Sequence, residues 1–542
     1  MQKLWGVIVA FFQKASKTAL FLSLIAGFIV TWFMRQAVTA FLLPGKLFSA
    51  RSLLYKSVYY LSFSLLLGLL VFLVLTLLQK KLSISQFFQK YDQKLSDFAK
   101  RFQNNPSNRA LFVLILLGIS TIFTFLDTSV FTSLDLVNWT FRTTTLFPPM
   151  NPIGADFRAG FYDPARALFI GKNLTEIWSN AVNTNAYPPL VTLVGLFFQP
   201  FEENTAYVIQ VFLLFTANIA CLGLTIALIK RYIFSTLKLT KELVNVVSWS
   251  LFFALSFMLF ASYPFIFSIE RGNYDIFALL FSLLALWSML TQPKKMWLQV
   301  IFLSIATQLK IYPALLFLLL LKKHGAKMLL PTAVVNILLF FILGPYNAAA
   351  FIQKLAAISG QSNPYLWIGN HSSMSFVSGL LQNAYPQWFP DLATFWMVFT
   401  LAPVLIWAAV AVFFLIRPYS ERMALFVFMI SIPVMDVLPT VSHDYKLVIL
   451  FADIALFLAF TLRNITEKPA FSHFIQLLGT FVVLLAISKS YVFYGPAQYY
   501  LLANKYLYIL LLEVLMLWSF LSNRHYDLPE PIRAQEIHQA NS

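Results

Sequence analysis

The chain has 542 residues, of which 59% are hydrophobic, 17% aromatic and 11% charged. A soluble domain carries about 25% charged residues, so this composition points to lipid as the main solvent and away from a soluble globular domain. The formal net charge of +17 is no nucleic-acid signal, because Lys and Arg fall in short clusters between apolar runs, as cytoplasmic topology determinants do.

Runs such as LSLIAGFIVTWF, SLLLGLLVFLVLTLL and FWMVFTLAPVLIWAAVAVFFLI are long enough for a hydrocarbon core of about 30 Å. Backbone amides there need internal partners, so the runs read as helices, and the alternation of a β-barrel is missing. The expected fold is all-α, a polytopic transmembrane bundle of about thirteen spans. The first apolar stretch lacks a small-residue cleavage site and reads as an anchor. A two-helix extension ends in a basic linker at 79–109, with seven Lys or Arg against two Asp. Its QFFQKYDQKLSDFAKRF portion is amphipathic and suits the membrane surface on the cytoplasmic side. The main domain is then 110–522, followed by a polar cytoplasmic tail, 523–542.

A helix at 110–127 runs outward to the longest external loop, 128–186, expected to carry short amphipathic helices. The Tyr187-Pro188-Pro189 segment to Phe201 must be short or re-entrant if the helix at 206–229 is to reach Lys230-Arg231 inside. The helix at 243–267 leaves SIERGNYD at the outer edge, and 274–291 returns to Lys294-Lys295. Residues 296–321 read as a hairpin of two short helices whose tip is Lys310 to Pro313. A helix at 327–344 leads to the loop 345–392 with GNHSS. Helices at 394–416 and 422–439 lead to PTVSHDYK, and two further helix pairings finish the chain. The lone Cys221 allows no intrachain disulfide.

Sides assigned from basic clusters alone put the long loop, ERGNYD, LKIYP, GNHSS and SHDYK on one face. Charged groups near hydrocarbon are costly and are kept for binding or transport. The rim holds Asp156, Arg158, Asp163, Arg166, Glu270, Arg271, Asp275, Lys310, His371, His443, Asp444 and Lys446. Fixed cations suit phosphate, and carboxylates suit proton abstraction from a hydroxyl. Phe157, Phe161, Tyr162, Tyr187, Tyr274, Tyr312 and Trp367 suit sugar faces and lipid headgroups. The sequence has no HExxH, no Cys/His metal constellation, no Walker A pattern and no GxSxG, so no metal site and no cofactor are expected.

The order DFRAGFYDPARALFIGKNL, YPPL, ERGNYD, LKIYPALLFLLLLKK, GNHS and SHDYKLVILF resembles glycosyltransferase family 87, within the C-type membrane glycosyltransferases. The resemblance covers about 110–520. It implies a polyprenyl-phosphate-linked sugar donor, most often mannose, and a lipid or glycan acceptor, with inverting transfer on the extracytoplasmic face. No retention signal is visible, so a prokaryotic plasma membrane is the expected location. Asp156 in GADF matches the family's general base, with Asp163 the alternate. Arg271 and Lys310 match basic positions able to hold the donor phosphate. Asn273, Tyr312, His371 and His443 fall in the same motifs and are further candidates for donor phosphate or sugar. In the late motif His443-Asp444-Tyr445 inserts an Asp where the family more commonly sets His beside Tyr.

Each candidate has a plainer explanation. Asp156 could be a solvated loop residue, Arg271 could neutralise Glu270 or Asp275, Lys310 could be buried in a hairpin, and the histidines could cap helices. Tyr187-Pro188-Pro189 suits breaking a helix. Asn138-Trp-Thr, Asn173-Leu-Thr and Asn370-His-Ser match a glycosylation triplet that occurs by chance. A transporter or flippase is the competing class, since it also uses broken helices. Against it, no paired segments relate the two halves, and the polar groups gather at a rim. An outer-face polysaccharide ligase or polymerase would differ only in acceptor.

Overall fold

The computed structural model describes residues 17–33, 154–172, 187–237, 241–260, 262–359, 369–377, 393–439, 441–467, 470–488 and 504–522, with isolated positions between 64 and 118 and at 239. The helix expected at 110–127, nearly all of the linker 79–109, most of the loop 128–186, the tail from 523, Trp367, Asn138 and Asn173 lie outside them. The chain divides into two units, 1–112 with 491–496, and 113–490 with 497–542.

In the first unit α1 spans Lys17–Phe33. A methyl group added to Gly27 would collide with the backbone at Ser64 and Gly68. Apolar helices in lipid approach closely through such small residues.

The second unit begins with a helical turn, Ala155–Phe157, that passes through a π-turn, Arg158–Tyr162, into α2 (Asp163–Phe169). α3 is Pro189–Gly195, seven residues that Pro188 and Pro189 open. At about 1.5 Å per residue it is too short to cross a membrane, in keeping with the short segment expected there. α4 is Glu203–Leu228, α5 Lys241–Phe260, α6 Tyr263–Arg271 and α7 Asp275–Thr291. α8 (Met296–Leu309) breaks at Lys310 into a 3-10 turn, Tyr312–Leu316, and α9 (Phe317–His324). α10 (Leu329–Phe340) and α11 (Pro345–Ser359) follow, then α12 (Ala393–Ile416) and α13 (Glu421–Val437). The last are α14 (Leu450–Glu467, preceded by a 3-10 turn Asp444–Ile449), α15 (Phe471–Ser488) and α16 (Tyr506–Ser522).

The fold is thus helical. Among the described residues strand pairing is limited to one isolated bridge, Asn370 with His443. Three helices are long and apolar enough to cross a membrane, Glu203–Ile233, Lys241–Phe260 and Asp444–Glu467, and up to five spans result if each bent pair is one. The expectation of about thirteen therefore exceeds what the described residues provide. One reason is local. The apolar run at 243–267 is not one helix, because Ser262 caps a new one by accepting from Phe265 N, and Pro264 suits a first helical turn.

The two ends of the bundle differ in chemistry. At one end Tyr232 donates to Leu290 O (3.0 Å), Lys323 to Met289 O (2.9 Å) and Lys322 to Leu415 O (2.7 Å). These side chains, two of them lysines, satisfy carbonyls left open at helix C-termini. The polar motifs gather at the other end, where α7 begins.

Candidate functional site

The ERGNYD motif is a helix exit followed at once by a helix entry. Arg271 ends α6, and Gly272 takes a left-handed conformation (φ 69°) that lets its N–H bond back to Ser268 O at 2.9 Å. A side chain there would be strained and would also meet Phe157. Asn273 Oδ1 then accepts from Tyr274 N (2.7 Å) and Asp275 N (3.2 Å), capping α7. The chain turns through 107° between α6 and α7.

That turn receives Asp156. Gly154, also left-handed (φ 82°), donates its N–H to Glu270 O at 2.6 Å and opens the turn that carries Asp156. Phe157 and Phe161 anchor this turn in a buried aromatic cluster with Tyr187, Phe198 and Tyr274. Phe157 meets Phe198 edge-on at 5.1 Å, a contact of about 1 kcal/mol beyond its burial. Asp156 is fully buried. One carboxylate oxygen pairs with the Arg271 guanidinium, and the other accepts from Asn273 Nδ2 at 2.8 Å. Burial alone would raise the carboxyl pKa. The Arg271 charge and the hydrogen bonds from Arg271 and Asn273 outweigh it and hold the group below the usual carboxylate range.

A second pair adjoins the first. Lys310 Nζ lies 3.4 Å from Asp275 Oδ2 and 4.6 Å from the centre of the Tyr187 ring, whose hydroxyl accepts from Asn273 Nδ2 at 3.3 Å. Tyr312 donates to Asp275 Oδ1 at 2.5 Å, and Lys446 Nζ sits 4.1 Å from the centre of the Tyr312 ring. The break at Lys310 that the hairpin reading expects thus places its ammonium beside α7.

Behind this layer the GNHS and SHDYK segments are laced together. His371 N donates to Ser442 O (2.8 Å) and Asp444 N to Gly369 O (3.0 Å). Asn370 Oδ1 accepts from Ser442 N (2.9 Å), and Asn370 O accepts from Asn504 Nδ2 (3.0 Å). His371 is fully buried, with Nε2 3.1 Å from Asp436 Oδ2 and Nδ1 2.9 Å from Asp444 Oδ1. Lys446 donates to Met435 O (2.7 Å) and Asp436 O (3.1 Å). His443 is partly exposed and within electrostatic reach of Asp156 and Arg271.

Asp156, Arg271, Asn273, Lys310, Tyr312 and His443 therefore meet in one region. Asp163 does not join them: it is exposed at the start of α2, where burial of its surroundings raises the carboxyl and Arg158 and Arg166 oppose that. Arg158 pairs with Glu203 instead. His371 is tied to the region through Asp436, Asp444 and Ser442. Asp436, Ser442 and Asn504 were not among the sequence candidates. The one sequence signal for Asp436 is a lone carboxylate in the apolar FMISIPVMDVLP. Among the described residues no group of three or more His, Cys, Asp or Glu side chains could hold a metal ion.

No match was found among curated proteins or among solved structures. A family match was found, and it covers Tyr187, the Arg271–Asp275 turn, the Lys310 break, His371 and Asp436. Residues 185–439 match glycosyltransferase family 87, the family that the motif order resembles, and that family is one of membrane glycosyltransferases.

Proposed function

We infer that the protein transfers a hexose, mannose first, from a polyprenyl-phosphate carrier to a hydroxyl of a lipid or glycan acceptor, with inversion. The setting would be the extracytoplasmic face of a prokaryotic plasma membrane. Asp156 takes the acceptor proton. The acceptor oxygen then bonds to the anomeric carbon from the face opposite the phosphate, and the carbon–oxygen bond to phosphate breaks with its electron pair leaving on the polyprenyl phosphate. The observation that carries this reading is the buried Asp156 carboxylate paired with Arg271 and Asn273, with the Lys310 ammonium on the adjoining Asp275. A hydroxyl nucleophile requires the carboxylate, and an anionic leaving group requires the cations.

Arg271 has two anions to serve. It neutralises Asp156, and a donor phosphate would compete for it. Loss of that partner leaves burial as the dominant influence on Asp156 and strengthens it as a base. Asn273 would orient the carboxylate throughout.

The test is incubation of the purified protein with radiolabelled polyprenyl-phosphate-mannose and a total lipid extract, beside Asp156→Asn. Label moving to a new lipid only in the unmodified protein supports both class and base. Transfer that survives the substitution keeps the class and rejects Asp156 as the base. No transfer from mannose, glucose or arabinose carriers, together with carrier movement across liposomes, would favour a flippase. The 107° and 92° breaks between helices are the feature such a reading would use.

A further inference from the structure

The buried cluster around His371 lies outside the Asp156–Arg271–Lys310 contacts, yet it joins three separate parts of the chain. His371 comes from the segment after α11, Asp436 from the last turn of α13, and Asp444 from the turn that opens α14. All three are fully buried. A neutral imidazole has one N–H and can donate to only one carboxylate. Nδ1 hydrogen-bonds Asp444 Oδ1 at 2.9 Å, while Nε2 forms an ion-pair contact with Asp436 Oδ2 at 3.1 Å. Nε2 also meets Ser442 Oγ at 3.2 Å, whose own proton goes to Asp436 O, so both nitrogens donate, as only imidazolium can.

Two things depend on where this cluster holds residues 441–446. His443 pairs with Asn370 across the bridge and lies within electrostatic reach of Asp156 and Arg271. Lys446 donates to the carbonyls of Met435 and Asp436 and projects over Tyr312, which in turn binds Asp275. The same contacts therefore set one group on each flank of the candidate catalytic region.

We propose that His371 is a positioning residue: bridging Asp436 and Asp444, it locks residues 441–446 so that His443 lies within electrostatic reach of the Asp156–Arg271 pair and Lys446 stands over Tyr312. It contacts neither donor nor acceptor itself. The kinetic side of this proposal rests on the glycosyl-transfer reading; the positional side does not.

The charged groups around the imidazole are Asp436 on α13, Asp444 and Lys446 on the turn before α14, and His443 beside them. Burial by itself would drive the proton off, but Asp436 and Asp444 outweigh it and the pKa is pushed up to about 9. A histidine raised above its ordinary 6.5 contributes stability that is complete below 6.5 and is lost as pH rises through about 9. The lock should therefore open on the alkaline side.

Two readouts test this on the purified full-length protein at matched thermal stability. The first is the rate at which diethyl pyrocarbonate modifies His443 at neutral pH, followed by mass spectrometry. In His371→Gln that rate should rise about tenfold, because His443 loses its fixed place. The second is mannosyl transfer from polyprenyl-phosphate-mannose between pH 6 and 10. The unmodified protein should lose kcat as pH passes about 9, whereas His371→Gln should start about tenfold or more lower and show no such limb. Unchanged labelling in a folded His371→Gln overturns the proposal, as does an unchanged kcat with the alkaline limb retained. If His371→Gln does not fold, Asp444→Asn keeps the imidazole and one carboxylate and answers both questions. If the unmodified protein transfers no sugar, the glycosyl-transfer reading fails, and the labelling of His443 still decides the positional claim.

Discussion

Asp156, Arg271 and Asn273 form the smallest unit from which the site can be understood. A buried carboxylate without partners would be neutral, so the guanidinium and the amide are what keep Asp156 charged. If Asp156 is the base, Asp156→Asn should lower kcat by a factor of about 10³, while Asp163→Asn, at an exposed position, should leave transfer within about twofold. Steady-state kinetics of the two variants in parallel would decide it. Gly272 gives a sharper structural test. Its left-handed φ of 69° and the closeness of Phe157 mean that Gly272→Ala should cost about 2 kcal/mol or more. That cost would be seen as a lower denaturation midpoint, and Gly171→Ala, with open space around it, should cost only the backbone strain of about 1 kcal/mol. Much at this scale is legible in the sequence: Arg-Gly-Asn-Tyr-Asp spells helix end, left-handed turn, cap and helix start in order. Asp436 is not, because its partner His371 lies on a distant segment and the nearby Lys446 sits in a separate motif beyond the helix end.

At the scale of elements, the breaks matter more than the helices. Lys310 reaches Asp275 because α8 stops at Leu309, and Asp275 starts a helix because α6 has just turned away. The hairpin with its tip at Lys310–Pro313 is readable from Tyr312-Pro313 and the flanking basic clusters. The separation of α5 from α6 is harder to read, since FALSFMLFASYPFIF is apolar on both sides of the Ser262 cap and Pro264 that divide it. α14 and α16 carry a different anomaly. Asp453 and Glu513 are fully buried, and none of their four carboxylate oxygens has a hydrogen-bond partner among the described residues. Burying such groups costs several kcal/mol. Glu513→Met, which keeps volume and removes the polar head, should raise stability by about 1–3 kcal/mol, measurable as a higher unfolding temperature in detergent. No gain would mean that Glu513 has a partner these contacts do not include.

On the scale of the whole second unit, buried carboxylate–cation pairs gather at the end where α7 begins, while Lys322 and Lys323 bind carbonyls at the other. The assignment of loops to faces rests on Lys and Arg clusters, because charge bias is a property of whole loops and survives errors in helix boundaries. The number of spans is less legible, since hydropathy counts apolar length and is blind to caps and bends inside it. Cysteine labelling can test the separation directly. With Cys221 replaced by Ser, Glu202→Cys and Lys295→Cys, both at exposed positions, should react with an impermeant maleimide from opposite sides of sealed vesicles. Reaction of both from one side would refute it.

The two ammonium–ring contacts carry a consequence for recognition. Lys310 covers a face of Tyr187 and Lys446 a face of Tyr312. A pyranose commonly docks by laying its C–H surface on an exposed aromatic face, but these two faces already hold cations. A sugar entering beside them would be read through its hydroxyls by Asp275, Asn273 and the lysines. Discrimination between epimers would then follow the directions of single oxygen atoms, axial or equatorial, and owe little to the apolar bulk of the ring.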